Sequence, residues 1–586
     1  MTAHVKTPWY RHYDGVKAHL EYPDDSVYRM LKNSADRHPD YFSYNYYGNK
    51  KTYQQLVRQV DRCAGAFWQL GVRAGDRVTI CMPNTPEAVI SFYALSKLGA
   101  AANMVHPLSA QNELSYYLKV SESRILVTID LAFSKILPII GETGLTTCIL
   151  VSVKDSMPAP LKLAYQLTRG RNVAVPRAKE AISWKQFMNL AKGKEDQPVE
   201  HGAGEQVAAI LYTGGTTGYP KGIELTNYNF NALAMQSIEA CQCLEGGDRV
   251  LAIMPVFHGF GLGICIHTVQ CFGGCSILLP QFRADTFHKL LKKYRPNIIA
   301  GVPTLYEALL RNKQLESYDL SFLKCVISGG DTLSVSLKQK LDRFLQSHHA
   351  DLQIREGYGL TECVTGSCLT PMRQYKEGSI GIPYPDTYYK IVKPDTEEEL
   401  AYGAEGEILI SGPTVMKGYL NNEAETRAVL RTHQDGRIWL YTGDLGYMDE
   451  DGFVYFKQRI KRMIISSGYS LSPQYIENVI DAHPAVLMSC VIGIDHAYKG
   501  QVVKAFVVPK DPAANRDELL LMIRAHCEER LARFSWPYEY ELRNQLPKTL
   551  VGKIAYNQLL EEEMHKREGT QEEGFAGASG DIQNEV

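Results

Sequence analysis

The chain lacks an excess of charge of either sign. Its 586 residues carry 63 Lys and Arg against 65 Asp and Glu, which gives a formal net charge of −2. Proteins that bind nucleic acids or anionic membranes through their overall field are usually strongly basic. The overall charge therefore gives no indication of a nucleic-acid partner. Apolar residues make up 45% of the chain, and this length and composition are typical of a globular protein with several compact units.

Metal-binding and disulfide patterns are also missing. The 13 cysteines include Cys241-x-Cys243 and Cys271-x3-Cys275, but no CxxC pair and no zinc-like grouping with histidine. The first ten residues are polar and contain no apolar core of a secretory signal. The last three residues match no lipidation or peroxisomal address. We therefore expect reduced thiols and a cytoplasmic location, with peripheral membrane contact as an open alternative.

No segment has the clear composition of a membrane-spanning helix, although one comes close. The stretch between Arg249 and Arg283 has no Asp, Glu, Lys or Arg and is long enough to cross a bilayer. It also contains Pro255, two histidines and five glycines. We therefore expect a buried strand, loop, helix and strand that line an apolar pocket, rather than one long helix.

What the chain does contain is a regular alternation of apolar runs and helical patterns. The runs Arg77–Met82, Arg124–Ile129 and Lys324–Gly330 are each followed by helical or turn-rich sequence. Such alternation predicts parallel sheets covered by helices, with ligands bound at the carboxyl ends of the strands. From Gly406 onward, short alternating runs predict a β-barrel, and a small mixed unit follows it.

The predicted fold class is therefore α/β, in two domains and a tail. Residues 1–460 form a large N-terminal domain with two parallel-sheet subdomains and a β-barrel, and residues 461–565 form a small, mobile α+β domain. Residues 566–586 are rich in Glu, Gly and Ser and are expected to be disordered. Residues 154–185 carry seven Lys or Arg against two Asp or Glu. We expect a surface excursion there, with contact to acidic lipid as the alternative.

One glycine-rich loop has the features of a phosphate-binding site. The sequence "LYTGGTTGYPKG" runs from Leu211 to Gly222, directly after the apolar run Val207–Leu211. Glycines allow close approach of the backbone, and successive N–H groups, two hydroxyls and an ammonium group can hold a phosphate chain. It is not a Walker loop, because Lys221 follows Pro220 instead of glycine. An ordinary turn between two strands is the alternative.

Five further motifs follow this loop in a specific order. They are "EGYGLTE" (356–362), "GEILISGPTVMKGYL" (406–420), "YTGD" (441–444), "RIKRMIISSGYSLSP" (459–473) and "LPKTLVGKI" (546–554). Together the six motifs resemble the adenylate-forming superfamily of acyl-CoA synthetases, adenylation domains and luciferases. The resemblance covers residues 25 to 560, and the opening sequence and length look most like bacterial medium- and long-chain fatty-acid–CoA ligases.

The resemblance implies the substrates ATP, a carboxylic acid and coenzyme A, with Mg²⁺ as cofactor. It implies that Lys553 is the catalytic lysine, which bridges the acyl carboxylate and the α-phosphate. Glu362 would coordinate Mg²⁺, with Thr213 as a second oxygen ligand. The contacts to ATP and AMP that the resemblance implies are Thr213, Gly214, Gly215, Thr216, Thr217, Lys221, Gly329, Gly330, Glu356, Gly357, Tyr358, Gly359, Leu360, Thr361, Asp444 and Arg459.

The remaining assignments concern the acyl group and the second half-reaction. By resemblance, His258 lies between the acyl pocket and the adenylation site, although a lone histidine beside an apolar run is as often a core residue. Lys461 is the implied hinge for rotation of the C-terminal domain. Ser466, Ser467 and Gly468 would then guide coenzyme A. The chain departs from the usual family pattern at several positions, among them Asp331, Arg462 and Ser467.

The expected function is acid–thiol ligation: ATP, a carboxylate and CoA give acyl-CoA, AMP and pyrophosphate. A medium- or long-chain fatty acid is the preferred acid, and an aromatic acid is the main alternative. An adenylation enzyme that loads a carrier protein, a luciferase-like enzyme and a non-catalytic binding protein also remain as alternatives. No obligate protein partner and no nucleic-acid partner are implied.

Overall fold

The computed structural model places two large sheets side by side in the N-terminal part of the chain. It describes residues 5–168, 178–193, 203–213, 220–462, 464–466, 469–471, 473–496, 499–531, 533–549 and 553–578. Both sheets are mainly parallel and helices cover them, as the alternation of strand and helix patterns predicts. The fold class expected from the sequence is confirmed.

The first sheet has nine strands, and its central strands are buried. Its inner members pair in parallel, for example Ile299 with Val326 and Ile327 with Arg355. In spatial order the strands are Ile382–Pro383, Cys368–Leu369, Arg355–Tyr358, Cys325–Gly329, Ile298–Gly301, Arg249–Ala252, Cys275–Leu278, Phe42–Tyr46 and Asn49–Thr52. The strand Phe42–Tyr46 pairs with Cys275–Leu278, which is distant in sequence, and the local pattern did not predict this pairing.

The second sheet has eight strands and ends in an antiparallel edge. Parallel pairs such as Thr79 with Asn103 fill its centre, and Val207–Tyr212 pairs antiparallel with Gly222–Thr226. In spatial order the strands are Gly418–Tyr419, Gly222–Thr226, Val207–Tyr212, Ala101–Met104, Arg77–Cys81, Ile125–Ile129, Thr147–Val151 and Ala181–Ser183. The glycine-rich loop therefore joins two antiparallel strands at this edge.

An antiparallel five-stranded sheet follows and has its own core around Trp9, Ile408 and Leu440. Its strands are Tyr388–Val392, Gly406–Ser411, Leu430–Thr432, Ile438–Met448 and Val454–Arg459. The short alternating runs predict these antiparallel strands, although the pairings among the described residues form an open sheet and not a closed barrel.

The C-terminal unit is built on a separate sheet and a separate core. Buried Ile480, Val491 and Ile523 belong to that core, whose members among the described residues all lie from Ile464 onward. Its strands are Ile464–Ser466, Tyr469–Leu471, Val486–His496, Gly500–Pro509 and Glu539–Leu542.

The last helix, Tyr556–Ala578, corrects one expectation. Disorder was expected from Lys566, because the composition there is polar and flexible. Lys566 Nζ instead lies 3.2 Å from Glu541 Oε2, and Arg567 Nη2 lies 2.6 Å from Glu539 Oε1. These ion pairs connect the helix to the strand Glu539–Leu542, so the expected disorder is wrong for 566–578; residues 579–586 lie outside the described part of the chain.

The helices pack mainly against the two large sheets. Several begin with a Ser or Thr whose side chain accepts from the first turn, as Thr52 and Thr226 do with capping boxes. Within the described residues, no helix has the length and apolar character needed to span a bilayer. The α-helices are Val27–Arg37, Tyr53–Gln69, Pro86–Lys97, Gln111–Ser121, Phe133–Ile136, Ile140–Thr143, Ala159–Leu167, Trp184–Asn189, Asn227–Cys241, Val269–Phe272, Phe287–Tyr294, Pro303–Leu310, Val335–Ser347, Glu423–Val429, Pro473–Asp481, Arg516–Arg530 and Tyr556–Ala578.

The uncharged stretch forms the predicted strand, loop, helix and strand, but its helix is unusual. Phe260–Thr268 is a π-helix that continues into Val269–Phe272. π-helical segments are rare and often lie at functional sites. Gly259 allows the close packing at its start, because a methyl group placed there would lie 1.6 Å from the carbonyl oxygen of Val364.

We expect Gly259→Ala to reduce the free energy of unfolding by about 1–3 kcal/mol or more, because backbone must move to admit the methyl group. The matched control is Gly141→Ala, whose added methyl group has no atom within 4 Å. Chemical denaturation of both variants checks the prediction. Equal midpoints for the two variants would contradict it.

Candidate active site

The phosphate loop begins where the strand Val207–Tyr212 ends. The N–H of Thr213 donates to the carbonyl of Lys221 at 3.2 Å, so the two ends of the loop are held together. Gly214, Gly215, Thr216 and Thr217 lie outside the described residues, and their assignment as phosphate ligands stays a prediction.

Lys221 is part of a small network that sequence reasoning missed. Its ammonium group forms an ion pair with Glu425 and lies 5.0 Å from the ring centroid of Tyr419. The hydroxyl of Tyr419 in turn donates to Glu362 Oε1 at 3.0 Å. Tyr419 lies in the "KGYL" end of a recognised motif, and that position was the available signal. The network brings the phosphate-loop lysine and the expected metal ligand to one place.

Glu362 is a partly buried carboxylate in the short turn Thr361–Cys363. Burial raises its pKa, and the hydrogen bond from Tyr419 and the positive charge of Arg459 act in the opposite direction. Val364, two residues after Glu362, has φ +63° and ψ −43°, and these angles are unusual for a β-branched residue. The turn that presents Glu362 is thus a strained element packed under Gly259.

Asp444 and Arg459 face each other on neighbouring strands of the barrel sheet. Arg459 Nε lies 3.3 Å from Asp444 Oδ1, and the hydroxyl of Tyr358 donates to Asp444 Oδ2 at 2.7 Å. Asp444 is only 2% exposed, and its Oδ1 accepts no hydrogen bond of good geometry in the described part of the chain. Burial raises the pKa of Asp444, which Arg459 partly offsets. A buried carboxylate oxygen without a donor is suited to accept from ligand hydroxyl groups.

Lys553 reaches this site from the C-terminal unit. A methyl group placed on Gly330 would lie 3.6 Å from Lys553 Cε, so the lysine chain passes directly over that glycine. Its turn is held by Thr549, whose N–H donates to the carbonyl of Lys553 at 2.7 Å. Burial lowers the pKa of Lys553, whereas the negative charges of Asp331 and Asp444 favour its charged form. Lys553 and Gly330, more than two hundred residues apart in sequence, are therefore adjacent in this structure.

His258 lies at the start of the π-helix and is a neutral residue. Its Nδ1 accepts from the N–H of Phe260 at 3.2 Å, which leaves the proton on Nε2. Burial, with the charge of Lys553 as a further cause, lowers the pKa of His258 to about 3. His258 can therefore donate a hydrogen bond, but it carries no charge near neutral pH.

The expected adenine slot forms between two neighbouring strand ends. Gly329 ends one strand and pairs in register with Gly357 of the next. Gly330 has φ +80°, a conformation that favours glycine. Glu356 points elsewhere, because its carboxylate accepts from the N–H of Leu333 at 3.2 Å. The other expected contacts in this segment, Gly359, Leu360 and Thr361, follow directly between Tyr358 and Glu362.

An apolar cavity extends from these glycines into the N-terminal domain. Its walls include no charged side chain among the described residues. Phe260 and Ile264 of the π-helix form one part of the wall, and Phe272 and Leu244 also line it. Gly329 and Gly330 line the end where Lys553 lies. The apolar cavity thus opens toward Lys553 at the end lined by these two glycines.

The expected hinge and CoA residues follow Arg459 in the chain. Arg459 belongs to the barrel strand, whereas Arg462 forms an ion pair with Glu477 and donates to the carbonyl of Val491 in the C-terminal unit. Lys461 lies between them in the turn Ile460–Arg462. Ser466 is buried at the end of a strand, and Ser467 and Gly468 lie outside the described residues. The roles of these residues stay predictions.

Comparison with known proteins agrees with this architecture. Residues 31–420 match the family described as AMP-binding enzyme, and residues 475–553 match the AMP-binding enzyme C-terminal domain. A long-chain-fatty-acid–CoA ligase of Bacillus subtilis (strain 168) is 37% identical over 95% of this chain and 98% of its own length. A probable 4-coumarate–CoA ligase 1 of Dictyostelium discoideum is 31% identical over 79% of this chain and 81% of its own.

A solved structure extends the comparison to three dimensions. ATP-bound MatB from Rhodopseudomonas palustris is 26% identical, with a TM-score of 0.78, over 91% of this chain and 98% of that one. The similarity thus covers both matched regions of the sequence and most of the fold. The chain belongs to the family of AMP-binding enzymes.

Proposed function

We propose that the chain is an ATP-dependent acid–CoA ligase that activates a long-chain fatty acid as acyl-AMP and then transfers the acyl group to CoA. The observation that carries the proposal is the position of Lys553, at the mouth of the uncharged cavity and beside Asp444 and Arg459. An acyl chain in the cavity would present its carboxylate to the lysine. The relatives named above as CoA ligases support the same reaction.

The first step joins two anions, the acyl carboxylate and the α-phosphate of ATP. At about 4 Å, two unit charges repel by roughly 4 kcal/mol at an effective dielectric of 20. Lys553 provides a positive charge between them, and its burial makes that charge effective because water does not screen it. His258 provides a neutral N–H donor on the same side. Pyrophosphate leaves as the carboxylate oxygen bonds to the α-phosphorus.

The remaining contacts hold ATP in place. Asp444 Oδ1 would accept from the ribose hydroxyl groups, and Arg459 would donate to the same sugar. Lys221 would bind the outer phosphates after leaving Glu425. Glu362 fits a Mg²⁺ site, since Mg²⁺ is commonly bound by one or two carboxylates together with substrate phosphates. When bound, Mg²⁺ would neutralise charge on the triphosphate.

The second step, attack of the CoA thiol on acyl-AMP, needs a different neighbour at the carbonyl. We propose that residues 461–565 rotate as a C-terminal domain about Lys461, which replaces Lys553 by the segment containing Ser466, Ser467 and Gly468. The separate core of that unit supports rotation as a rigid body. The short turn Ile460–Arg462 is the connection that would absorb the change in backbone angles.

Pyrophosphate release over a panel of carboxylic acids, with and without CoA, tests this function. Long-chain fatty acids should be the best substrates, and CoA alone should support many turnovers with AMP and acyl-CoA as products. A preference for benzoate-like acids would favour an aromatic-acid ligase. Turnover only with an added carrier protein would favour the carrier-loading alternative.

The cavity makes a prediction about chain length. We expect Ile264→Trp to reduce kcat/KM for a long-chain acid by about 100-fold, since the indole fills space that the acyl chain needs. A short acid should change by about threefold or less, because it does not reach Ile264. Ile264→Val is the matched control and should leave both values nearly unchanged. An equal loss for long and short acids would contradict the proposed acyl cavity.

A further inference from the structure

Three cysteine thiols meet beside the apolar cavity, and the proposed reaction uses none of them. The thiol of Cys325 lies within hydrogen-bonding distance of the thiols of Cys241 and Cys243. Cys241 ends the helix Asn227–Cys241. Cys325 begins the strand Cys325–Gly329, and all three cysteines are free. The Cys-x-Cys pattern of the sequence therefore meets a third thiol from a distant part of the chain. We call these three residues the thiol cluster.

The backbone around the thiol cluster is fixed from two sides. Arg355 lies on the strand next to Cys325–Gly329, and its Nη1 donates to the carbonyl of Cys241 at 3.2 Å. Lys324, the residue before that strand, forms an ion pair with Asp248 at 2.9 Å. The first bond holds the end of the helix, and the second holds the loop after it. The closeness of the three sulfur atoms is therefore a property of the fold.

The surroundings of the thiol cluster favour a thiolate at Cys241. The hydrogen bond with Cys325 lowers the pKa of Cys241, burial opposes this, and the positive charge of Arg355 lowers it further. The same hydrogen bond raises the pKa of Cys325 to about 12, so Cys325 is the thiol that donates. By contrast, burial raises the pKa of Cys81 and of Cys265 to about 12. Because the thiolate is the nucleophilic form, Cys241 is the more reactive sulfur.

Small molecules can reach the thiol cluster. Cys241 is part of the cavity wall, and Cys243 is partly exposed. Hydrogen peroxide is close to water in size and needs little more room than water does. Cysteines that respond to oxidants combine thiolate character, access and a second thiol nearby. The thiol cluster has all three features, which distinguishes it from a cysteine that only fills space in a core.

We propose that Cys241 and Cys325 form a reversible oxidation site, which hydrogen peroxide converts to a disulfide in the wall of the apolar cavity. The thiolate of Cys241 attacks one oxygen of the peroxide, the O–O bond breaks, and a sulfenic acid and hydroxide form. The thiol of Cys325 then gives up its proton and attacks the sulfenic sulfur, so that the S–S bond forms and the sulfenic oxygen leaves as water. Two thiols are oxidised in total, and one peroxide is reduced to two molecules of water.

Cys243 provides a path for reduction. Its thiol gives up a proton and attacks Cys325 in the disulfide, which moves the S–S bond to Cys243 and leaves the proton on Cys241. A small thiol in solution then reduces the disulfide at the partly exposed Cys243. Transient disulfides of this kind are the ones that occur in reducing compartments.

The disulfide would also narrow the cavity. Leu244 and Ile327 lie next to the two segments that the disulfide joins, and both line the cavity. Because an S–S bond is shorter than a hydrogen bond between thiols, its formation draws these two parts of the wall together. If the proposed function holds, oxidation should lower kcat/KM for a long-chain acid by about tenfold and change that of a short acid by about twofold or less.

The test is peptide mass spectrometry of the full chain after treatment with hydrogen peroxide, without ATP or CoA. Trypsin leaves Cys241 and Cys243 in the peptide 222–249 and Cys325 in the peptide 325–338. We expect the two peptides to become linked, with a mass two hydrogens below their sum, and to separate after treatment with dithiothreitol. In Cys325→Ala no link should form, and dimedone should label a sulfenic acid at Cys241.

Matched variants show which thiol reacts first. Cys241→Ser should slow the linkage by about tenfold, because the pKa of the remaining Cys243 is raised. Cys243→Ser should become linked like the unmodified chain, but glutathione should reduce it about tenfold more slowly. The control Cys81→Ala removes a buried thiol outside the cluster and should change neither rate.

Either of two results would overturn the proposal: no linked peptide from the unmodified chain at millimolar peroxide, or equal linkage rates in Cys241→Ser and the unmodified chain. Linkage that leaves kcat/KM for long-chain acids unchanged would overturn the narrowing of the cavity. Because the linkage is measured without catalysis, its failure and a failure of the proposed ligase activity give different results.

Discussion

Lys553→Ala should reduce acid-dependent pyrophosphate release by about 1,000-fold, the effect of removing a buried group that stabilises developing charge. The affinity for ATP should change by only a few-fold, because the lysine acts mainly on the transition state. Conversion of synthetic acyl-AMP and CoA to acyl-CoA should continue at nearly the original rate. Stopped-flow pyrophosphate release and single-turnover thioester formation measure the two half-reactions separately.

The stability of the same variant distinguishes loss of chemistry from loss of fold. Burial lowers the pKa of Lys553, so its charged form is disfavoured in the folded chain, and alanine should leave the melting temperature unchanged or higher. The direction of the pKa shift also sets the pH dependence. Pyrophosphate release should decline as the pH rises through the pKa of Lys553, which is lower than that of an ordinary lysine. Lys548→Ala, a nearby lysine beside Glu307, is the control and should keep its activity. Unchanged pyrophosphate release by Lys553→Ala would contradict the assignment.

The elements of the fold were predictable where local patterns decide them. The runs predicted at Arg77–Met82 and Lys324–Gly330 are strands at Arg77–Cys81 and Cys325–Gly329. Pairing between distant segments was not predictable, as shown by Phe42–Tyr46, which lies beside Cys275–Leu278. Hydrophobic periodicity identifies which residues are buried, but many sheet orders bury the same faces.

The π-helix shows a second limit of sequence patterns. Its start depends on Gly259 and Gly261, whose missing side chains admit the carbonyl oxygens of Val364 and Pro255. The contact with Val364 comes from a segment that is adjacent only after folding. The expected disorder from Lys566 failed for the same reason, because Lys566 and Arg567 have ion-pair partners on the strand Glu539–Leu542.

At the site, the motif residues were predictable and their partners were not. The negative charges of Glu362 and Asp444 favour the charged form of Lys553, and the roles of the three residues stay predictions. Tyr419 was missed because its role exists only through its hydrogen bond to Glu362. Asp331 was noted as a departure from the usual pattern, and its negative charge favours the charged form of Lys553. Side chains that orient other side chains leave little trace in a single sequence.

The second large effect is expected for Asp444→Asn, which should raise the KM for ATP by about 10- to 100-fold. A hydrogen bond to a charged group contributes about 1.5–3 kcal/mol, and the carboxylate oxygen Oδ1 is the buried acceptor that ribose would use. An amide would also leave Arg459 without its ionic partner. Because ribose contacts are the same in ground and transition states, kcat should fall much less than kcat/KM. ATP titrations at saturating acid and CoA give both constants.

Two further variants show whether this effect belongs to the ribose contact. Tyr358→Phe removes the hydroxyl that donates to Asp444 Oδ2 but leaves the carboxylate in place, so its KM for ATP should rise by about tenfold or less. Glu405→Gln breaks an exposed ion pair with Lys457 in the barrel unit and should leave the KM unchanged. If Asp444→Asn and Glu405→Gln gave the same KM, the orphaned oxygen of Asp444 would have no part in binding ATP. The role of Asp444 would then be limited to its ion pair with Arg459, and the ribose would have to bind at another place.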